Sequence, residues 1–232
     1  MFNKENMQEL LENTISEKKQ TKDFIPIKKP NNIGNVAEDF LLPKQHDTLF
    51  WCYYIMIFGQ FRYETLGGNS FVEEKKVKIC LAETVKDNKE LLKKNKWKKS
   101  IIENALVMDN DISLQTFFYI CTVKNLNIML QYKRCLYICK NNSTDTYNII
   151  TWNIEIGYMI FCGTEHENKR IMDDYMSSFW IVENINKPLG AISSYKVGTL
   201  IEICKKLQIP IQSDKGKKLT KKVLYGAIIC KI

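Results

Sequence analysis

Six lysines toward the carboxyl end carry the pattern with the clearest chemical meaning. Lys217, Lys218, Lys221 and Lys222 crowd into one short stretch, Lys215 stands just ahead of them, and Lys196 lies further upstream. Ammonium groups this close repel one another, and an anion between them relieves the repulsion. A phosphate backbone offers anions at a similar repeat. The run Lys221-x-x-Leu224-x-x-x-Ile228 reads as a helix, and Lys217, Lys218, Lys221 and Lys222 are expected in its first turn. The helix dipole favours acids there, so cations in that place call for a compensating anion. Residues 193–232 hold nine Lys against Glu202 and Asp214, a balance of +7 within a chain of +8. The first 192 residues are therefore close to neutral, and an anionic partner belongs to the carboxyl end.

Other reactive residue types are arranged less productively. Eight cysteines sit almost entirely inside apolar runs, where a thiol behaves as a small hydrophobe. No Cys-x-x-Cys occurs, and His46 and His166 are the only histidines. Cys135 and Cys139 share one face of an expected strand. Reduced, buried thiols in an intracellular setting are the expectation, with no metal and no cofactor. Gly67-Gly68 lacks the lysine and spacing of a phosphate loop, and neither G-x-G-x-x-G nor G-x-S-x-G is present. Glu73-Glu74 reads as a helix start and Asp109-x-Asp111 as a turn. Tyr195, Tyr225 and Trp97 read as anchors of local core rather than as stacking platforms for bases.

The elements that must position these groups follow from periodicity. Residues 1–36 read as a flexible tail and linker with one short amphipathic helix on Met7, Leu10, Leu11 and Ile15. Asp47-Thr48 opens, and Gly59 closes, a helix that is apolar all round and so belongs at the centre of a core. One long, lysine-rich helix is expected over 71–97, with its charged face in solvent. Further helices are expected over 100–107 and 114–123, the latter capped by Ser113. Short runs rich in Ile, Tyr, Cys and Met at 126–130, 134–139, 147–152 and 158–162 read as three or four antiparallel strands. Residues 165–174 read as a polar connection, and 175–185 as either strand or helix. The expected fold class is α+β: N-terminal helices followed by a small antiparallel sheet in a body at 37–186, then a two-helix module at 187–232. Ser194 is the expected cap of the first of those two helices, and Pro210 ends it. No apolar run approaches the roughly 20 residues of a membrane span, so no membrane partner is expected.

The carboxyl-terminal stretch resembles the SAP-type helix-extended-helix module of DNA- and chromatin-associated proteins. Val197 and Leu200 match the start of its first helix, Cys204 and Leu207 the end, and Ile209 the residue after. Lys217 and Lys221-x-x-Leu224-x-x-x-Ile228 match its second-helix signature. Gln208 stands where the motif carries Gly or Asn, and the loop at 211–219 is longer than typical. Similar helical pairs also open a transcription terminator and serve as protein-docking modules. The body resembles papain-like cysteine peptidases of the ovarian-tumour type, through Asp47-Thr48-Leu49-Phe50-Trp51-Cys52 at a buried helix start followed by helices and a sheet. That family uses a Cys at such a helix start and a His on a later strand. Here Thr48 holds roughly the nucleophile's place and Gly157-Tyr158 stands where His-Tyr is expected. Cys52 falls inside the apolar run, and His166 falls in a polar loop beyond the strands. The resemblance thus implies a catalytically dead relative used for binding, with an active cysteine hydrolase as the further alternative.

The resulting expectation is a non-enzymatic protein that binds nucleic-acid backbone, DNA ahead of RNA, through Lys196, Lys215, Lys217, Lys218, Lys221 and Lys222. A protein-docking or virion-structural factor with viral or host protein partners is the second reading. The excess of Lys over Arg, with abundant Asn and Ile, reads as AT-rich coding, a habit shared by parasites, endosymbionts and large DNA viruses.

Overall fold

The computed structural model describes residues 39–185, 187–212 and 216–232. The expected amino-terminal tail and short helix, and Lys215, fall outside these residues. The fold is α+β. β1 (Phe40–Leu41) leads into α1 (Thr48–Phe58), α2 (Gln60–Glu64), α3 (Ser70–Thr84), α4 (Lys89–Asn95), α5 (Lys99–Val107) and α6 (Leu114–Val123). Strands β2 (Ile128–Tyr132), β3 (Cys135–Cys139), β4 (Asn148–Asn153) and β5 (Gly157–Phe161) follow, then α7 (Glu165–Ser178) and β6 (Trp180–Val182). The chain ends in α8 (Val197–Lys206) and α9 (Lys221–Lys231). None of the described helices is long and apolar enough to cross a membrane.

α1 is the centre of the core because every residue from Leu49 to Ile55 is buried. The Asp47 side chain accepts from the Phe50 N–H and starts the helix, and Gly59, at φ 85°, lets its own N–H close on the Ile55 carbonyl. At roughly 1.5–3 kcal/mol for each fully buried large side chain, this one helix supplies a major share of the apolar stabilisation. It packs against β5 and α6. Ser113 caps α6 by accepting from the Thr116 N–H.

The sheet runs β1-β5-β4-β2-β3-β6 and is mixed, which corrects the antiparallel expectation: β2 pairs with β4, and β3 with β6, in parallel. Asn127 accounts for the first of these. Buried just ahead of β2, its amide nitrogen donates to the Asn142 side chain (2.6 Å) and to the Thr144 carbonyl (2.9 Å), while its oxygen accepts from the N–H groups of Asn141 and Asn142. The loop after β3 is thereby tied back to the foot of β2, so β4 leaves from the same end as β2. α7 accounts for the second, carrying the chain from β5 to the far edge as a crossover helix.

Three helical expectations also change. The stretch at 165–174 is not a connection: α7 begins on a capping box, in which Thr164 and Glu167 satisfy each other's backbone N–H groups. The long helix at 71–97 is two helices. The Thr84 carbonyl accepts from the Asn88 side chain (2.8 Å) and the Asp87 N–H (3.2 Å), turning the chain between α3 and α4. Ser194 does not cap α8. It lies in a short 3-10 turn with its hydroxyl donating to the Ala191 carbonyl, and Lys196 is the residue at the helix start.

Candidate nucleic-acid interface

α8 and α9 bury Leu200, Ile203, Cys204, Leu207, Leu224 and Ile228 within the same hydrophobic cluster as the body. α8 ends as a Schellman motif: the Ile209 N–H reaches the Cys204 carbonyl at 2.8 Å, with Gln208 between them at φ 57°. Gln208 thus takes the left-handed conformation that Gly or Asn adopts most readily at a helix end. After Pro210, Gln212 pairs with Lys218 in an isolated antiparallel bridge, and the Leu219 N–H donates to the Ile211 carbonyl.

Two consecutive residues of the β2–β3 turn hold the carboxyl ends of both helices. Lys133 Nζ donates to the Ile232 carbonyl at 2.8 Å, and Arg134 Nε to the Lys206 carbonyl at 3.3 Å. Cations at helix carboxyl ends satisfy orphan carbonyls and suit the dipole. The turn is itself fixed. Lys133 sits at φ 53°, and the buried Gln131 carboxamide donates to its carbonyl while accepting from the Thr151 hydroxyl and the Trp152 N–H. Arg134 also donates to the Ser178 carbonyl and lies over the Phe179 ring, and burial pushes its guanidinium pKa down from the usual value. Tyr195, ahead of α8, meets Tyr225, midway along α9, with ring centroids 6.5 Å apart, and the Tyr225 hydroxyl donates to the Gly190 carbonyl at 2.7 Å.

The expected lysines lie at or just before the helix starts, but not all in a first turn. Lys196 occupies the N-cap of α8 and is exposed; Lys221 and Lys222 open α9. Lys217 and Lys218 are exposed in the strand-like segment before it, which corrects the placement of all four in one helical turn. Neither Lys196 nor Thr220, the two N-cap residues, caps its helix with a side chain, so the first-turn N–H groups receive no side-chain acceptor there. Among the described residues, no carboxylate lies within ion-pair distance of these five lysines.

The helix start at Thr48 brings together different groups. The Tyr158 N–H donates to Thr48 Oγ1 at 2.9 Å, and a Cβ on Gly157, whose φ is 93°, would stand 2.7 Å from that oxygen. Thr48 and Gly157 are therefore closely apposed, one offering a hydroxyl and the other no side chain. Cys52 is wholly buried, and burial pushes its thiol well above the usual range. His166 lies exposed in the first turn of α7, not in a loop, and His46 pairs with Asp111 at 2.9 Å on the surface. Tyr195 and Tyr225 are half-buried against each other, and Trp97 is buried. Among the described residues no cluster of His, Cys, Asp and Glu has the makings of a metal site.

No family model, no curated protein and no solved structure matches this chain.

One functional role for the fold escaped the sequence reading. Glu73-Glu74 is not a simple helix start: Glu74 accepts from Lys78 (2.7 Å) and from the Trp51 indole (3.0 Å), and Glu73 from Tyr54 (3.1 Å) and Arg62 (3.0 Å). Lys78 also donates to Asp47 at 2.7 Å, and the same carboxylate accepts from the Ile112 N–H at 3.0 Å. Burial works against the Lys78 ammonium, but Asp47 and Glu74 outweigh it and hold its pKa above the usual value. The signal was present as Glu74-x-x-x-Lys78 on a helix whose next core positions are Leu81 and Val85.

Proposed function

We propose that this protein binds the phosphate backbone of nucleic acid with the amino-terminal side of the α8–α9 pair. The observation that carries the reading is the pair of helix starts without side-chain caps, at Lys196 and at Lys221 and Lys222, next to Lys217 and Lys218, with no carboxylate within ion-pair distance of these lysines among the described residues. Backbone N–H groups and ammonium groups together suit phosphate oxygens rather than base edges. Binding of this kind is weakly sequence-selective and falls steeply with salt.

The test uses the full chain, titrated with duplex DNA and with duplex RNA of the same sequence across a salt series. Log affinity is expected to fall linearly with log salt. Changing Lys217, Lys218, Lys221 and Lys222 to Gln is expected to flatten that slope by about 0.9 for each lysine that contacts phosphate. Binding that ignores salt, or that survives the fourfold change, overturns the reading. The comparison of the two duplexes decides whether DNA is the preferred polymer.

A further inference from the structure

A groove runs along the length of α3, far in sequence from the lysines above. Its larger part, about 410 Å³, has walls from Tyr53, Ile57 and Phe58 of α1 and from Val77 and Leu81 of α3. A smaller part, about 260 Å³, continues past Val72 toward Asn69. Arg62 and Glu73, paired at 3.0 Å, line both parts. α3 has fifteen residues, so the groove follows a helix of about 22 Å.

Val72, in the wall of the smaller part, is 67% exposed. An exposed apolar side chain in the wall of a cleft suits a surface that another molecule covers. The polar groups of the lining say what kind of molecule. Arg62, Lys76 and Lys124 stand against one carboxylate, Glu73, and that carboxylate already accepts from Arg62 and from the Tyr54 hydroxyl. Lys76 and Lys124 are exposed, with no carboxylate in ion-pair distance among the described residues. The Arg62 guanidinium is held 4.7 Å over the Phe58 ring by the same arrangement, so its position on the rim is fixed.

The geometry points to a docking site for a protein partner that presents an amphipathic helix with an apolar stripe and acidic flanks. The stripe fills the floor between α1 and α3, and the flanks meet Lys76, Lys124 and the free donors of Arg62. This is helix-in-groove recognition, in which apolar anchors give affinity and flanking charge gives selectivity.

The probe is a fluorescein-labelled helical peptide of about 15 residues, matched to the groove, with Leu along one stripe and Glu on the flanks. A counterpart carries Lys in place of Glu, and sodium oleate tests for a lipid instead. Fluorescence anisotropy with the full chain is expected to show saturable binding of the acidic peptide and none of the basic one. Val77→Asp is expected to weaken binding by about tenfold or more, as loss of a central anchor does. The exposed pair Lys76→Glu and Lys124→Glu, which leaves the core untouched, is expected to weaken it as well. The fourfold Gln variant of the α9 lysines should bind the peptide normally, which separates this site from the nucleic-acid surface. Equal binding of both peptides, indifference to the groove variants, or binding of oleate alone overturns the proposal. So does a dimer in sedimentation that Val77→Asp dissociates, because the groove then belongs to a second copy.

Discussion

Lys78 and the lysines around the start of α9 carry the same ammonium group, and the fold treats them in opposite ways. Lys78 is fully buried, bonded to Asp47 and Glu74 at 2.7 Å each, and set 4.9 Å over the Phe50 ring. Lys217, Lys218 and Lys222 are exposed, and with Lys221 they have no carboxylate partner among the described residues. A buried cation must have its partners built in, because desolvation would otherwise expel it from the core. An exposed cation needs none, and leaving it unpaired keeps it available to an external anion. The chain's ten lysines between residues 75 and 99 therefore do not form one class, and charge counts along the sequence do not separate the two uses.

The sharpest way to break this comparison is Lys78→Ala. It strands Asp47 and Glu74 without their cation beneath the core helix, and removal of one partner from a buried pair costs about 3–5 kcal/mol. Urea unfolding should show a loss of that size, whereas the fourfold Gln change at 217, 218, 221 and 222 should stay within about 0.5 kcal/mol. The pH dependence provides a second readout. The folded-state pKa of Lys78 is raised above its ordinary value of 10.5. Its contribution to stability is thus complete below that value and disappears as pH climbs through the folded-state pKa. Wild type should lose stability over that alkaline window more steeply than Lys78→Ala, and equal slopes would deny Lys78 its role.

Gly157 comes next in expected effect. A methyl group there meets Thr48 Oγ1 at 2.7 Å and imposes a side chain on a backbone at φ 93°. Gly157→Ala should cost about 2–3 kcal/mol, since strain at a special φ/ψ and overpacking act together. Adding Thr48→Ala removes the clash but not the backbone strain, so the double variant should recover only part of the loss. Full recovery would mean that the close approach alone excludes a side chain at this position.

How much of this was legible in the sequence depends on the range of the interaction. α1 and α6 were readable because their caps, Asp47 and Ser113, lie three residues from the N–H groups they bind. The four central strands were readable from their β-branched and aromatic runs. The Thr164-x-x-Glu167 capping box was equally local, but α7 has one buried residue, Ile171, and its polar face hid the period. The parallel pairings were out of reach, because Asn127 acts across a loop and nothing in its own neighbourhood announces that. The candidate interface divides in the same way. Its lysines were visible as a cluster, whereas Lys133 and Arg134, which orient both helices from 99 and 72 residues away, carried no signal.

Those two anchors give the third prediction. Lys133→Ala with Arg134→Ala removes a cation from each helix carboxyl end, which is worth about 0.3–1 kcal/mol per end and up to about 2 where partly buried. Thermal unfolding should show a loss in that range. Polyanion binding should weaken too, although neither residue stands among the candidate phosphate ligands, because the carboxyl ends of the two helices are no longer held at the β2–β3 turn. Unchanged binding at reduced stability would show that the lysines act as a flexible cloud of charge rather than as an oriented surface.

The smallest effect is expected at Gln208. A left-handed backbone is disfavoured by about 1 kcal/mol for a residue with a Cβ, and Gln208 adopts it to close α8. Gln208→Gly removes that penalty but adds freedom to the unfolded chain, which offsets part of the gain. Urea unfolding should show a net stabilisation of about 0.5 kcal/mol. The same substitution leaves every lysine in place, so its salt-dependent binding curve should overlay that of wild type. If binding rises with stability, the orientation of α8 is itself limiting, and the interface is sensitive to helix geometry as well as to charge.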